Sequence, residues 1–581
     1  MKQAGKDVAK RLCVLKFGSS VLATEQDYPA AASEIYRHVR EGEKVVAVVS
    51  ALAGQTDALL DQAGRVGGEG PAALVARLAR VGELHSAAMM ALALSRAGMT
   101  ACALDPHEMA LVAEGDPLDS NLKSLDAEAV WAKLDLHDVV VVPGFTAGHD
   151  EHGVVTLGRG GTDLSAVFFA ASLGACRVRL IKDVDGVYDE DPALNPDAQR
   201  FAQLNYREAR KASAGLIQPK AIDMAEQQNV VVEIASLGAA EATTIANVET
   251  RKSLPLTGPR LKVALLGCGA VGAGVLAYLK DWSHLFEVNP VLVRNPASYS
   301  DGRDYTSSLE DAFAGRPDIV IECMGGADYS ADAMHQALRW GAQVVTANKA
   351  AVAKHFDSLH ACADAGGGAL RYSSAVGGEV PVLERIAALD GSLVELQGVM
   401  NGTCNYLLGR LEEGWSFDDA VRKAQELGFA EANPEGDVDG HDAADKLSLL
   451  VRAAFGVALP PDRIAKQSLK QVTGDALRAA AARGEVLKQV GHCWRDADGE
   501  VHAEVRIEAL PADQPLARPR NEENCFVLMD REGGEHLVFG KGAGRWPTAT
   551  SVFADVMDAQ RALLGRSEPA APAKAPLLMT A

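Results

Sequence analysis

Short β-branched runs alternate with Ala- and Leu-rich stretches along most of this chain. VVAVVS (45–50), DVVVVPGF (138–145) and NVVVEIAS (229–236) place apolar residues at consecutive positions. A strand buried on both faces reads this way, because helices cover both sides of a parallel sheet. The stretch ALVARLARVGELHSAAMMALALSRAG (73–98) is long, free of proline and built of helix formers, so it predicts a helix. The alternation stops around ETRKSLPLTGPR (249–260), where Pro255 and Pro259 interrupt regular structure. A linker is expected over 251–260. The pattern resumes with LKVALLG (261–267), followed by VNPVLV (288–293), PDIVIEC (317–323) and QVVTANKA (343–350) as further strands. Two α/β units in tandem follow from this order. The Pro- and Ala-rich end, SEPAAPAKAPLLMTA (567–581), reads as a disordered tail.

Composition narrows the partners. The 581 residues are enough for several domains, and 48% apolar with 23% charged residues is ordinary for a soluble globular protein. The net charge is −21 and no basic block stands against it, which disfavours nucleic acid and anionic membrane surfaces. Nine dispersed cysteines without C-x-x-C spacing suggest neither a zinc site nor a redox pair, and fit reduced thiols in a cytoplasm. No apolar run has the length of a signal peptide core or a membrane span.

The second half carries a dinucleotide signature. The strand KVALL (262–266) enters Gly267-Cys268-Gly269-Ala270-Val271-Gly272, a G-x-G-x-x-G at a strand-to-helix turn. Such a turn lets the backbone approach a pyrophosphate at a helix N-terminus. An acidic residue normally ends the next strand and holds a ribose hydroxyl; here Arg294 stands there, which would pair with a 2′-phosphate and favours NADP. The plain alternative is a solvated arginine. Gly325, Asn348 and Lys349 follow later strands, at the end of the sheet where ligands bind. Farther on, Glu431, Asp437 and Asp442 cluster, with Lys446 four residues after Asp442. On a helix those two share a face. The lysine could then protonate a carbonyl oxygen as hydride arrives, or simply form a surface ion pair.

GCGAVG, ECMGG, VVTANKA, NGTCNY, LGFAEANPEGDVDGHDAADKL and GKGAGRWPTATSVFAD (540–555) together resemble homoserine dehydrogenase. The resemblance implies NAD(P)-dependent interconversion of aspartate semialdehyde and homoserine, on the route to threonine and methionine. It implies an acid/base role for Lys446, a catalytic or binding role for Lys349, and substrate contacts from Glu431, Asp437 and Asp442. Gly402 and Thr403 would floor the substrate pocket, and the GAG segment at Gly542 would return the chain to the cofactor domain. This chain departs from the family in three places. Ser373-Ser374 replace the Glu-Ala that help hold a monovalent cation, and Glu379 replaces a glycine in the same turn. A cation site, if rebuilt, would use Val376 and Glu379. The family's E-x-D-P is here Glu431-Ala432-Asn433-Pro434.

The first half has no G-x-x-x-x-G-K-[ST] loop. VLKFGSSVL (14–22), VVAVVSALAGQTDALL (45–60), GELHSA (82–87), PGFTAG (143–148), TLGRGGTDLSA (156–166), KDVDGVYDEDP (182–192) and GLIQPK (215–220) instead supply Gly-rich strand ends, lysines, an arginine and acids. Such turns can cradle phosphates, and an arginine can grip a carboxylate with both arms. Together they resemble aspartokinase, of the amino-acid kinase family. The resemblance implies that Lys16 stabilises the transferring phosphoryl group and that Ser50, Glu83, Arg159 and Asp163 bind aspartate. It also implies that Asp183, Asp185, Tyr188 and Lys220 serve ATP with Mg²⁺. KFGSSV is one residue shorter than the usual aspartokinase loop and resembles that of glutamate 5-kinase, and Lys182 opens the DVDG loop where a threonine is usual. The short stretch between the halves leaves no room for the two ACT domains that normally follow an aspartokinase catalytic domain.

The expected architecture is α/β throughout. An amino-acid kinase-like αβα sandwich (1–250) is fused to a Rossmann NADP-binding domain (261–395), an α+β substrate and dimerisation domain (396–535) and a return segment (536–566). The expected function is bifunctional: phosphorylation of aspartate by ATP, and NADP-dependent interconversion of the semialdehyde and homoserine, in a cytoplasmic homodimer or homotetramer without threonine feedback. A kinase half that only binds ligand and builds the oligomer stays open, as does glutamate as the acceptor.

Overall fold

The computed structural model describes residues 12–68, 70–192, 194–195, 197–253, 260–427 and 434–565. Glu431, most of the expected linker and the expected tail lie outside them. The chain forms two compact units, Met1–Leu256 with Val376–Thr550 and Thr257–Ala375 with Ser551–Ala581.

The first unit opens on a nine-stranded sheet. Its order is Arg251–Ser253, Arg200–Asn205, Thr243–Ala246, Val232–Ser236, Arg177–Lys182, Leu12–Phe17, Lys44–Val49, Val139–Pro143, Ala101–Ala103. The six strands from Val232–Ser236 to Ala101–Ala103 are parallel. Leu12–Phe17 and Lys44–Val49 are buried over nearly their whole length, which explains their unbroken apolar runs. The helix expected over 73–98 spans Ala72–Ala97. A small sheet of Asn121–Ser124, Val112–Glu114, Thr146–His149 and Gly153–Thr156 lies beside the main one in the chain's course.

The same unit contains a six-stranded sheet, in the order Ala465–Lys466, Val501–Pro511, Glu485–Arg495, Leu393–Val399, Glu523–Asp530, Glu535–Lys541. Its pairings are antiparallel except at the short first strand. Helices Gly402–Glu412 and His441–Phe455 pack against its central strand Glu485–Arg495.

The second unit holds a seven-stranded parallel sheet around Leu261–Leu266. The strand expected at 288–293 is split into Phe286–Val288 and Val291–Leu292 around Pro290, which has no N–H to pair. The end of helix Arg545–Gly565 completes this unit: Phe553 stacks on Tyr278 at 5.1 Å and meets Trp282 and Phe286.

Two boundaries differ from the sequence-based expectation. The break placed at 395/396 falls at 375/376, because helix Val382–Ala388 packs on His441–Phe455. The return placed at 536 falls at Ser551, because Glu535–Lys541 is the edge strand of the six-stranded sheet. Among the described residues no helix is long and apolar enough to cross a membrane.

Candidate active sites

The glycine turn of the second unit is built by three different constraints. Gly267 has φ +94°, and a Cβ there would stand 2.6 Å from the Cys323 carbonyl oxygen. A Cβ on Gly272 would meet the Gly267 carbonyl oxygen at 2.0 Å, so the helix packs directly on the turn. Gly269, the N-cap of helix Ala270–Asp281, faces open space. Two residues therefore shape the loop and one leaves room above free helical N–H groups, as a pyrophosphate site requires. Tyr299 donates to the Cys268 carbonyl at 3.2 Å and braces the turn.

Beside it lies a cavity of about 260 Å³, lined by Val271, Cys323, Gly325, Ala347, Asn348, Lys349 and Ala350. Asn348 caps helix Lys349–Gly366 by accepting from the Ala351 N–H, and its amide donates to the Gly326 carbonyl at 2.6 Å. Beneath, the buried Glu322 accepts from the Met324 N–H at 2.7 Å and the Thr346 hydroxyl at 2.6 Å, tying two strand-end loops together. Arg294 is exposed just past Val291–Leu292.

In the first unit, helix His441–Phe455 presents Asp442 and Lys446 on one face, and the two pair at 2.9 Å. Lys446 Nζ also donates to the Met400 carbonyl at 2.7 Å. Asn401 Nδ2 donates to Asp437 Oδ1 at 2.8 Å and Asp442 Oδ2 at 2.9 Å, while its Oδ1 accepts from Cys404 N–H and caps helix Gly402–Glu412. Thr403 hydrogen-bonds Asp437 as well. Burial, more than the neighbouring Asp442 charge, pushes the Asp437 carboxyl up. One lysine and two carboxylates are thus held in a polar cluster at a helix N-terminus. Gly402 is needed for packing: a Cβ there would stand 2.9 Å from Glu522 Cα. Gly542 likewise presses on Asn524, whose amide nitrogen a Cβ would meet at 1.8 Å.

The nine-stranded sheet carries a third cluster at the carboxyl ends of its parallel strands. Asp163, fully enclosed, receives Lys16 at 2.8 Å and Lys182 at 3.0 Å. Burial works to raise Asp163, but the two ammonium groups together hold it below the ordinary carboxylate value. Glu83 is buried, with no partner for Oε2 among the described residues; burial pushes it up to about 8, against a hydrogen bond from the Ala51 backbone and the charge of Lys16. Ser50 donates to the Thr162 hydroxyl at 2.9 Å. Arg159 is exposed on the turn between Gly158 and Gly160, both with positive φ. On the DVDG loop, Tyr188 donates to Asp185 at 2.9 Å, and burial with that contact pushes the phenol up to about 12. Asp183 is exposed, and Lys220 pairs with Asp119 at 2.7 Å nearer the surface.

The sequence matches the homoserine dehydrogenase NAD-binding domain over 267–373, homoserine dehydrogenase over 381–557 and the amino acid kinase family over 11–236. Homoserine dehydrogenase of Lactococcus lactis is 35% identical over 315 residues, which span 51% of this chain and 73% of that protein. This chain belongs to the homoserine dehydrogenase family. The Corynebacterium glutamicum homoserine dehydrogenase is 32% identical over 323 residues, 52% of this chain and 73% of that one. The solved homoserine dehydrogenase of Thiobacillus denitrificans is 31% identical, with a TM-score of 0.50 over 54% of this chain and 76% of that one. The matches to both kinds of domain make nucleotide cofactors and small-molecule substrates part of its chemistry.

The sequence leaves a monovalent cation doubtful and places it, if rebuilt, at Val376 and Glu379. The Glu379 carboxyl is buried between Gly98 and Gly540, and its Oε2 has no hydrogen-bond partner among the described residues. Burial, reinforced by Asp138, pushes it well above the ordinary carboxylate value, against the Lys541 backbone N–H and charge. Ser373, at the family's glutamate position, is engaged with Asp555 through N–H and hydroxyl.

Two residues escaped the sequence reading as site residues. Asn401 stood in the quoted NGTCNY segment, where its N-cap position was the available signal. Lys182 was visible only as an odd opening to the DVDG loop.

Proposed function

We propose that the chain is a bifunctional enzyme. One activity interconverts aspartate semialdehyde and homoserine with NADP(H); the other phosphorylates L-aspartate with MgATP. The observation that carries the first is the Lys446–Asp442–Asn401–Asp437 cluster in a chain of the homoserine dehydrogenase family. NADPH, when bound, supplies the hydride. Lys446 delivers the proton that the carbonyl oxygen requires as it becomes an alcohol, and Asp442 holds that ammonium in place. Asp437 and Asp442 supply the negative charge that a substrate ammonium seeks. The exposed Arg294 supports NADP over NAD, since its guanidinium can pair with a 2′-phosphate.

For phosphoryl transfer, the buried Lys16 supplies positive charge where negative charge moves, which is most of what that reaction needs. Ser50, Glu83, Arg159 and Asp163 surround the acceptor in this reading, and Asp183, Asp185 and Tyr188 face the nucleotide with Mg²⁺. A cytoplasmic homodimer or homotetramer completes the proposal.

A coupled assay of purified protein tests both halves. Homoserine-dependent reduction of NADP⁺ should exceed that of NAD⁺, and Arg294→Glu should erase the difference. Failure to oxidise homoserine with either nucleotide defeats the dehydrogenase proposal. Aspartate should yield a hydroxamate-trapped acyl phosphate, lost in Lys16→Ala; no product from aspartate or glutamate defeats the kinase proposal and leaves a ligand-binding half.

A further inference from the structure

The sequence assigned one phosphate-facing lysine beside Lys16, namely Lys220. The structure gives Lys220 to Asp119, in a pair whose side chains are 37% and 60% exposed. A different lysine stands next to Lys16. Lys182 is the last residue of Arg177–Lys182, the strand that lies parallel to Leu12–Phe17 in the sheet. Both lysines therefore emerge at the carboxyl end of adjacent parallel strands, where ligands of open α/β sheets bind. Their side chains are only 7% and 9% exposed, and they flank one oxygen: Asp163 Oδ1 lies 2.8 Å from Lys16 Nζ and 3.2 Å from Lys182 Nζ.

Charge in this buried cluster is unbalanced among the described residues. Two ammonium groups face one ionised carboxylate, and the nearby Glu83 is mostly neutral at pH 7. Burying an uncompensated charge is costly, and each ammonium repels the other. That repulsion, after burial, depresses the Lys182 pKa. An arrangement of this kind is completed by an anion. Lys16 also folds back over the short KFGSS turn, its Nζ 2.5 Å from where a Gly18 Cβ would stand, so only glycine at 18 lets the ammonium lie against the turn. Helix Gly161–Leu173 starts at the same place with no side-chain cap.

We propose that Lys182 is a second catalytic lysine of the kinase site, gripping the terminal phosphoryl group of ATP together with Lys16, with Asp163 positioning both. The assignment rests on the proposed kinase function. Lys182 holds the terminal phosphate while it is still on ATP and as negative charge shifts toward the ADP oxygen. No bond to Lys182 forms; the phosphorus–oxygen bond to ADP breaks and that to the acceptor carboxylate forms.

The test uses the full-length protein and two nucleotides, the magnesium complexes of a β,γ-imido ATP analogue and of ADP, with calorimetry. Wild type should bind the triphosphate analogue more tightly than ADP. Lys182→Met should weaken the analogue at least tenfold and ADP less than threefold, and aspartate phosphorylation should fall at least 100-fold in kcat. Lys182→Arg should recover part of both. A lysine that only neutralised Asp163 would weaken both nucleotides equally; that result, or an unchanged margin between them, overturns the assignment. So does a wild type without any such margin. If circular dichroism shows Lys182→Met unfolded, Lys182→Gln, which keeps a donor to Asp163, is read the same way. Wild type that favours the triphosphate yet phosphorylates neither aspartate nor glutamate defeats the kinase proposal alone, and the binding comparison then still decides the place of Lys182.

Discussion

Three side chains set the chemistry that can be tested one residue at a time. Among the described residues Lys446 pairs with Asp442 and donates to the Met400 carbonyl, and both belong to the first unit. Lys446→Ala should therefore leave NADPH affinity unchanged in a fluorescence titration while kcat falls by about 10²–10⁴, the usual worth of a general acid. Equal turnover would remove Lys446 from that role. Glu83 tells on the kinase half through pH. Its carboxyl is pushed up to about 8, so it gains the charge that attracts the aspartate ammonium only as pH rises through that value. KM for aspartate should fall between pH 7 and 9, and Glu83→Gln should flatten the profile. Glu379 is a buried carboxyl whose Oε2 has no hydrogen-bond partner among the described residues. Its folded pKa lies well above the unfolded value, so the folded state binds the extra proton. Its favourable contribution is complete below the unfolded carboxylate pKa of about 4.3 and is lost as pH rises toward the folded value. Glu379→Gln should match wild type in thermal stability at acid pH and exceed it increasingly at alkaline pH.

At the level of elements, the strand-to-helix turn at 267–272 separates folding from binding. A Cβ on Gly272 would strike its own turn, and one on Gly269 would meet nothing within 4 Å. Gly272→Ala should lower Tm and abolish NADPH binding, whereas Gly269→Ala should keep Tm and weaken NADPH alone. Thermal scans with and without NADPH distinguish them, and a loss of Tm in Gly269→Ala would contradict the open space above it. The same logic applies to helix Gly402–Glu412. Its cap, Asn401, is also the amide that draws Asp437 and Asp442 together, so one residue starts a helix and fixes the spacing of two carboxylates. Lys16 and Lys182 meet because two strands far apart in sequence are neighbours in the sheet.

Across the whole molecule, the first unit joins the nine-stranded sheet to the six-stranded one through particular contacts. Tyr36 donates to the Glu379 carbonyl at 2.6 Å, Arg40 pairs with Glu384, and Arg96 lies 3.8 Å over the Trp546 ring. With the two halves joined so closely in sequence, threonine in the low-millimolar range should inhibit neither activity, and a cooperative inhibition curve in the assay would contradict this. The α/β alternation, the dinucleotide turn and the Asp442–Lys446 pair were legible in the chain because they depend on neighbours within a few residues: consecutive burial, glycine geometry, helical spacing. The antiparallel six-stranded sheet was not read, although Glu485–Arg495 and Val501–Pro511 are its longest strands, because their half-buried pattern is mixed and their pairing is non-local. The domain break at 375/376 depends on which sheet a helix packs against, which periodicity does not encode. The kinase lysines show the division most plainly. Local sequence placed Lys16 and Lys220 beside glycine-rich turns, but only the packing of parallel strands, 166 residues apart in the chain for Lys16 and Lys182, brought two ammonium groups onto one buried carboxylate.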